Sequence, residues 1–79
     1  MKVRVRLFGP LAEQAGRTEL AVLVVGTTVG DVLAAVAVAA PALTIDRSVR
    51  IAINTDYAEA SARVKEDDVI SLIPPVGGG

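Results

Sequence analysis

Between Thr28 and Ala40 the apolar residues recur at helical spacing, whereas most other apolar runs in the chain alternate. Val29, Val32, Leu33, Val36 and Ala40 fall on one face of such a helix. Thr28, with the acidic Asp31 three places on, is a capping-box-like start, and Pro41 is a stop. In 79 residues with one long helix, the alternating segments must share a single sheet beneath it. From Val32 to Ala40 no side chain is polar, which leaves Ala34, Ala35 and Val38 on the outer face. Either that face marks a contact surface or it reflects the high helix propensity of alanine.

The alternating segments supply the sheet. In Lys2–Phe8, the residues Val3, Val5 and Leu7 face a core while Lys2, Arg4 and Arg6 face water. Phe8 falls by parity on the charged side, where it is either tucked in by a bend at Gly9-Pro10 or exposed to a partner. Leu11–Ala15 is a short helical turn ended by Gly16. Thr18–Val25 is a second strand with Leu20, Val22 and Val24 on one face, and its short link to the first predicts an antiparallel hairpin. Pro41–Ser48 is a loop whose Leu43 and Ile45 are expected on the core. Val49, Ile51 and Ile53 alternate with Arg50, Ala52 and Asn54 in a third strand. The turn Asn54-Thr55-Asp56, a brief strand over Tyr57–Ala60 and a polar turn over Lys65–Asp68 follow. In the last strand, Val69–Ile73, pointing Ile70 and Leu72 inward leaves Ile73 on the Ser71 face. The reading is an α+β fold of the β-grasp type: a mixed sheet on one main helix, with the first and last strands parallel at its centre. Residues 1–73 form the domain and residues 74–79 a projecting tail.

The inventory excludes most chemistry. With no His and no Cys, the commonest general base and the strongest nucleophile are missing. Glu66-Asp67-Asp68 reads as a solvated turn, and Gly26-Thr27-Thr28-Val29-Gly30 lacks the Gly-Lys-Ser/Thr ending of a phosphate loop. Metal-ligand spacing is absent. A net charge of −1, with Phe8 and Tyr57 the only aromatic residues, gives no basis for binding nucleic acid. No apolar run reaches transmembrane length, and Met1–Arg6 lacks the apolar block of a signal peptide. A cytoplasmic protein without catalytic side chains of its own is expected.

The chain closes on Ile73-Pro74-Pro75-Val76-Gly77-Gly78-Gly79. Prolines favour an extended conformation that leaves the body at a defined angle, and glycines pass channels too narrow for a Cβ. Six extended residues reach roughly 20 Å. On composition alone, a frayed tail and a probe for another protein are equally good readings.

The residues favour the second. The chain resembles the small-subunit family of molybdopterin synthase, which are ubiquitin-like sulfur carriers. The resemblance runs from Phe8-Gly9 and Leu11-Ala12-Glu13-Gln14-Ala15-Gly16, through Ile53-Asn54, to Ile73-Pro74-Pro75-Val76-Gly77-Gly78-Gly79. The family often has Asp-Gly-Asp before the last strand, where this chain has Glu66-Asp67-Asp68. Asp67 can replace that glycine by adopting a left-handed turn at modest cost. Ile73 stands where phenylalanine is common.

The resemblance implies a non-catalytic, sulfur-carrying subunit in molybdenum cofactor biosynthesis, assembled as a heterotetramer with the large, catalytic subunit. Gly79 is then the functional residue. A ubiquitin-activating-like adenylyltransferase would adenylate its carboxylate with ATP-Mg, and a sulfurtransferase system would convert it to a thiocarboxylate. Pro74, Pro75, Val76, Gly77 and Gly78 would insert the tail into the large subunit, where the sulfur attacks a pterin precursor. Phe8, Tyr57 and Ile73 are the candidate partner interface. The chain itself would bind no cofactor or metal and no nucleic acid or membrane. Alternatives are sulfur donation to cysteine, thiamine thiazole or tungsten cofactor synthesis, and a ubiquitin-like protein modifier.

Overall fold

The strands form in the expected order, and their alternation decides which side of each is covered. A computed structural model describes residues 1–75. The elements are β1 (Lys2–Leu7), α1 (Pro10–Ala15), β2 (Glu19–Leu23), α2 (Val29–Ala39), β3 (Arg50–Ile53), β4 (Asp56–Tyr57) and β5 (Val69–Ile73). They make a five-stranded mixed sheet in the order β2-β1-β5-β3-β4. The central pair β1 and β5 is parallel, and β2 and β3 flank it antiparallel. This is the ubiquitin-like β-grasp arrangement.

The core lies between one sheet face and α2. Val3, Val5, Leu7, Leu20, Val22, Val24, Ile70 and Leu72 come from the sheet side, and Val29, Val32 and Val36 come from the helix. Leu43 and Ile45 pack on its margin, as their loop position suggested. Phe8 follows the end of β1 and is 44% exposed, which decides its open alternative. At the start of α2, Thr28 Oγ1 accepts from Asp31 N–H at 3.2 Å and the Asp31 carboxylate accepts from Thr28 N–H at 3.1 Å. The capping box is therefore complete.

Two expectations need correction. The brief strand is Asp56–Tyr57, not Tyr57–Ala60. Residues 60–62 have another use: the carbonyls of Ala60 and Ala62 accept from Gly30 and Val29, two of the N–H groups that a helix start leaves without partners. Val64 is buried, although no periodicity singled it out between Arg63 and Lys65. Among the described residues Asn54 is the only non-glycine with positive φ, so Asp67 takes no left-handed turn. Instead the Asp68 carboxylate accepts from Lys65 N–H at 2.8 Å and closes that turn itself.

These local bonds tie stability to pH. The backbone N–H of Thr28, then its hydroxyl, hold the Asp31 carboxyl below the ordinary 3.8. The Lys65 N–H, followed by the Asn54 amide, does the same for Asp68. Because the folded-state values are depressed, this stabilisation is present above 3.8 and is lost as pH falls through the folded values. Thermal denaturation should show a midpoint that is flat near neutrality and falls below about pH 5. Asp31→Asn and Asp68→Asn should each lower the plateau and make the acid limb shallower; limbs as steep as the parent's would contradict this.

Candidate functional site

β5 is held on both sides, by β1 and by β3, so its alternation is fixed by two ladders. Ile70 and Leu72 face the helix with no exposed surface. Ser71 and Ile73 therefore face the opposite side of the sheet. Register carries that outer face sideways: Arg6 stands beside Ser71, Ser71 beside Ala52, and Ala52 beside Tyr57. One step closer to the tail, Ile73 stands beside Arg50.

The result is a shallow apolar groove of about 650 Å³ at the foot of the tail. Phe8, Tyr57 and Ile73 line it together with Pro74 and Pro75, so the three residues separated by 49 and 16 positions in sequence converge on one surface. Tyr57 is 66% exposed. The floor is made by Ala52 and Ser71, both buried although they lie on the face opposite the core. Their small side chains keep the groove open between the larger residues.

Two features hold the groove in shape. Asn54, in the left-handed conformation at φ 57°, joins the β3–β4 turn to the start of β5. Its N–H donates to Val69 C=O at 2.8 Å, its Oδ1 accepts from Val69 N–H at 3.0 Å, and its Nδ2 donates to Asp68 Oδ1 at 3.0 Å. These bonds fix where β5 begins and hence on which side Ile73 emerges. Gly9 sits at φ 53°, ψ −130°, a conformation that side chains resist. A Cβ there would lie at an ordinary 3.5 Å from Pro74 Cγ, so the backbone rather than crowding requires glycine.

Charge is confined to the margins. The Arg50 guanidinium lies 5.4 Å from the Tyr57 ring centroid, a cation–π distance. Arg4 and Arg6 both reach Glu19, at 3.3 and 3.8 Å. The polar groups in the groove (Asn54, Thr55, Ser71 and the Tyr57 hydroxyl) include no general base. Such a surface can bind a partner. Among the described residues no group of carboxylates is placed to hold a metal ion, and no helix is long and apolar enough to cross a membrane.

Sequence reasoning named Phe8, Tyr57 and Ile73 but missed Ala52, Ser71 and Arg50. Arg50 was recoverable, because parity sets it on the Ile73 face. Ala52 and Ser71 carried no signal, since small residues on an outward face read as solvated. Pro74 is half-buried and Pro75 exposed at the groove's end. Val76, Gly77, Gly78 and Gly79, the other residues assigned to tail insertion and sulfur carriage, lie outside the described residues.

Comparison with known proteins gives a consistent result. The family model described as the ThiS family matches residues 5–79. The crystal structure of SAMP1 from Haloferax volcanii is similar at 31% identity and a TM-score of 0.89, covering 100% of both chains. A putative molybdopterin converting factor, subunit 1, from Pyrococcus furiosus is 26% identical with a TM-score of 0.82, over 96% of this chain and 99% of that one. A chain in the complex of subunits 1 and 2 of molybdopterin-converting factor from Helicobacter pylori is 28% identical with a TM-score of 0.72, covering 100% of both.

Proposed function

Because this chain belongs to the ThiS family and is a ubiquitin-like sulfur carrier, we propose that it serves molybdenum cofactor biosynthesis as the small subunit of a molybdopterin synthase. Full-length likeness to two molybdopterin-converting-factor subunits supports the pathway. The observation that carries the reading is the groove, in which Phe8, Tyr57 and Ile73 run without interruption into Pro74 and Pro75. A partner docked there receives the tail at its root.

In this reading the chemistry sits on the Gly79 carboxylate. A carboxylate is a poor acyl donor because its charge is delocalised and oxide is a hopeless leaving group. An adenylyltransferase uses ATP-Mg to make the acyl-adenylate, whose AMP departs readily. The outer sulfur of a persulfide on a sulfurtransferase system displaces AMP to form an acyl disulfide, and a second thiol of that system cleaves its S–S bond, leaving the thiocarboxylate and a disulfide. The large subunit then accepts the tail: Pro74, Pro75 and Val76 direct it, and Gly77 and Gly78 pass through a narrow channel. The sulfur attacks a pterin precursor bound by that subunit.

The pathway is tested by mixing thiocarboxylated chain with its large subunit and the pterin precursor. Intact-mass spectra should show sulfur replaced by oxygen at the C-terminus as the dithiolene forms. A thiocarboxylate that persists in a demonstrated complex would overturn the molybdenum assignment and leave the carrier class standing.

Docking has its own test. Tyr57 is largely exposed and lies outside the core, so Tyr57→Ala should leave the fold intact. It should weaken binding of the large subunit about 10- to 100-fold, as expected for an aromatic anchor in a groove. Unchanged affinity by calorimetry would remove Tyr57 from the interface.

A second reading has specific support in the full-length, 31% identical likeness to SAMP1, a small archaeal modifier protein. There the same activated carboxyl would be passed to a protein amine. The two readings share adenylation and differ at the acceptor. Isopeptide-linked conjugates in the producing cell would favour the modifier, and their absence beside a loaded thiocarboxylate would favour the carrier.

A further inference from the structure

The two edges of the sheet are unlike. β4 is only two residues long and carries Asp56, a blunted edge of the kind that resists pairing. β2 offers Glu-Leu-Ala-Val-Leu, with neither proline nor lysine, and continues toward Val25, which is 95% exposed.

Its hydrogen-bond parity is fixed at both ends. Val24 N–H donates to Met1 C=O at 2.7 Å, the Met1 amino group donates to Val24 C=O at 2.9 Å, and Leu7 N–H donates to Thr18 C=O at 2.9 Å. In an antiparallel ladder, alternate residues bond the same neighbour. The backbone groups of Leu20, Val22 and Val24 therefore face β1, and those of Glu19, Ala21 and Leu23 point away from the sheet. Among the described residues no strand pairs with that side. Alongside it, a groove between β2 and α2 is lined by Ala21, Leu23, Val25, Ala34 and Val38. Asp31 is the one charged residue of its lining; the rest of the helix wall has no polar side chain, and Leu23 and Val38 are 79% and 84% exposed there.

We propose that the β2 edge is a self-association site, where a second copy of this chain pairs antiparallel about a two-fold axis through Ala21. The inference is independent of sulfur carriage. In that register Ala21 meets Ala21 and Glu19 meets Leu23, so the strand overlaps itself along its whole length. Each outward N–H then faces a C=O of the other copy, the self-complementarity that a two-fold interface requires. Charge does not oppose the pairing: Glu19 is the only charged residue in β2. Its carboxylate already meets Arg4 and Arg6, at 3.3 and 3.8 Å. With the axis normal to the sheet, both α2 helices lie on one side, and Ala34 and Val38 of each copy approach across the junction.

Area sets the strength. Leu23, Val25 and Val38 cover on the order of 100 Å² each, and with the alanines the apolar area is about 400 Å² per copy. That is half of the ~800 Å² per partner found in stable complexes. The dimer is accordingly weak, with a dissociation constant of ~0.1–1 mM.

The test is sedimentation equilibrium of the full chain from about 10 μM to about 2 mM, with amide NMR spectra over the same range. The mass should rise from 8.1 kDa toward twice that value. The amides of Glu19, Ala21 and Leu23 should shift and gain exchange protection as it rises. Ala21→Lys, which sets two ammonium groups on the axis, should hold the mass at that of the monomer. Val38→Lys provides the same check from the exposed helix face if Ala21→Lys does not fold. A constant monomer mass up to the highest concentration overturns the proposal, whether or not a foreign strand binds the edge. So does a dimer whose shifts centre on Phe8 and Tyr57, or one unaffected by the folded lysine variants.

Discussion

Deleting Gly79 should abolish sulfur loading and leave the thermal transition of the domain where it was. The two effects separate because the chemistry and the core occupy different parts of the chain. Among the described residues the buried cluster runs from Val3 to Leu72 and draws nothing from beyond β5. The groove polar groups include no base, and the chain contains neither His nor Cys. In the carrier reading nothing in the body can act for the tail, and the shortened chain ends on a Gly78 carboxylate held about 3.5 Å short of the position Gly79 reaches, so it should still bind its adenylyltransferase and fail to accept sulfur from it. Intact mass after incubation reports the chemistry, and circular dichroism reports the fold. Loss of the folded state on removing Gly79 would show that the tail is not separable from the domain.

The second large effect is on stability, and neighbouring residues of β5 should divide it from binding. Leu72 is fully buried and stands between Leu7 and Ile51 on the two flanking strands. Leu72→Ala should cost about 3 kcal/mol, from lost transfer energy and an incompletely collapsed cavity. A domain of 79 residues is stable by only ~4–12 kcal/mol at 0.05–0.15 kcal/mol per residue. The midpoint of thermal unfolding should fall by roughly 12–24 °C. Ile73, one position later, lies on the outer face and is only half-buried. Ile73→Ala should cost less than half as much stability and weaken partner binding instead. Equal losses of stability at the two positions, measured by chemical denaturation, would mean that the two faces of β5 are not divided as described.

Much of this fold was legible because its signals were periodic. Alternation placed Val3, Val5, Leu7, Ile70 and Leu72 on the core face, and the Thr28–Asp31 pair marked where the helix begins. Those assignments rest on local chemistry that tertiary contacts did not override. The misses share a different cause, since each arises from an interaction between distant segments. Residues 60–62 leave the sheet because their carbonyls serve the first N–H groups of α2, a need invisible in their own sequence. Val64 is a lone apolar residue whose burial follows from its backbone bond to Thr27 at 2.7 Å. Ala52 and Ser71 form the groove floor only because register sets them side by side beneath larger residues. Asp67 was expected to stand in for a glycine, but the neighbouring Asp68 removes the need for a left-handed residue. Asn54 shows the reverse case. Its place in the Ile53-Asn54 block was noticed as a resemblance, and its bonds to Val69 and Asp68 supply the physical reason for that residue.

The central claim is that this domain carries sulfur on its last residue. The most direct measurement is the intact mass of the full chain after incubation with its adenylyltransferase, ATP-Mg, a persulfide donor and a thiol reductant. The mass should increase by the replacement of one oxygen by sulfur, located by fragmentation at Gly79 and absent without ATP. An unchanged mass, in a mixture where the chain is shown to bind the adenylyltransferase, would contradict it.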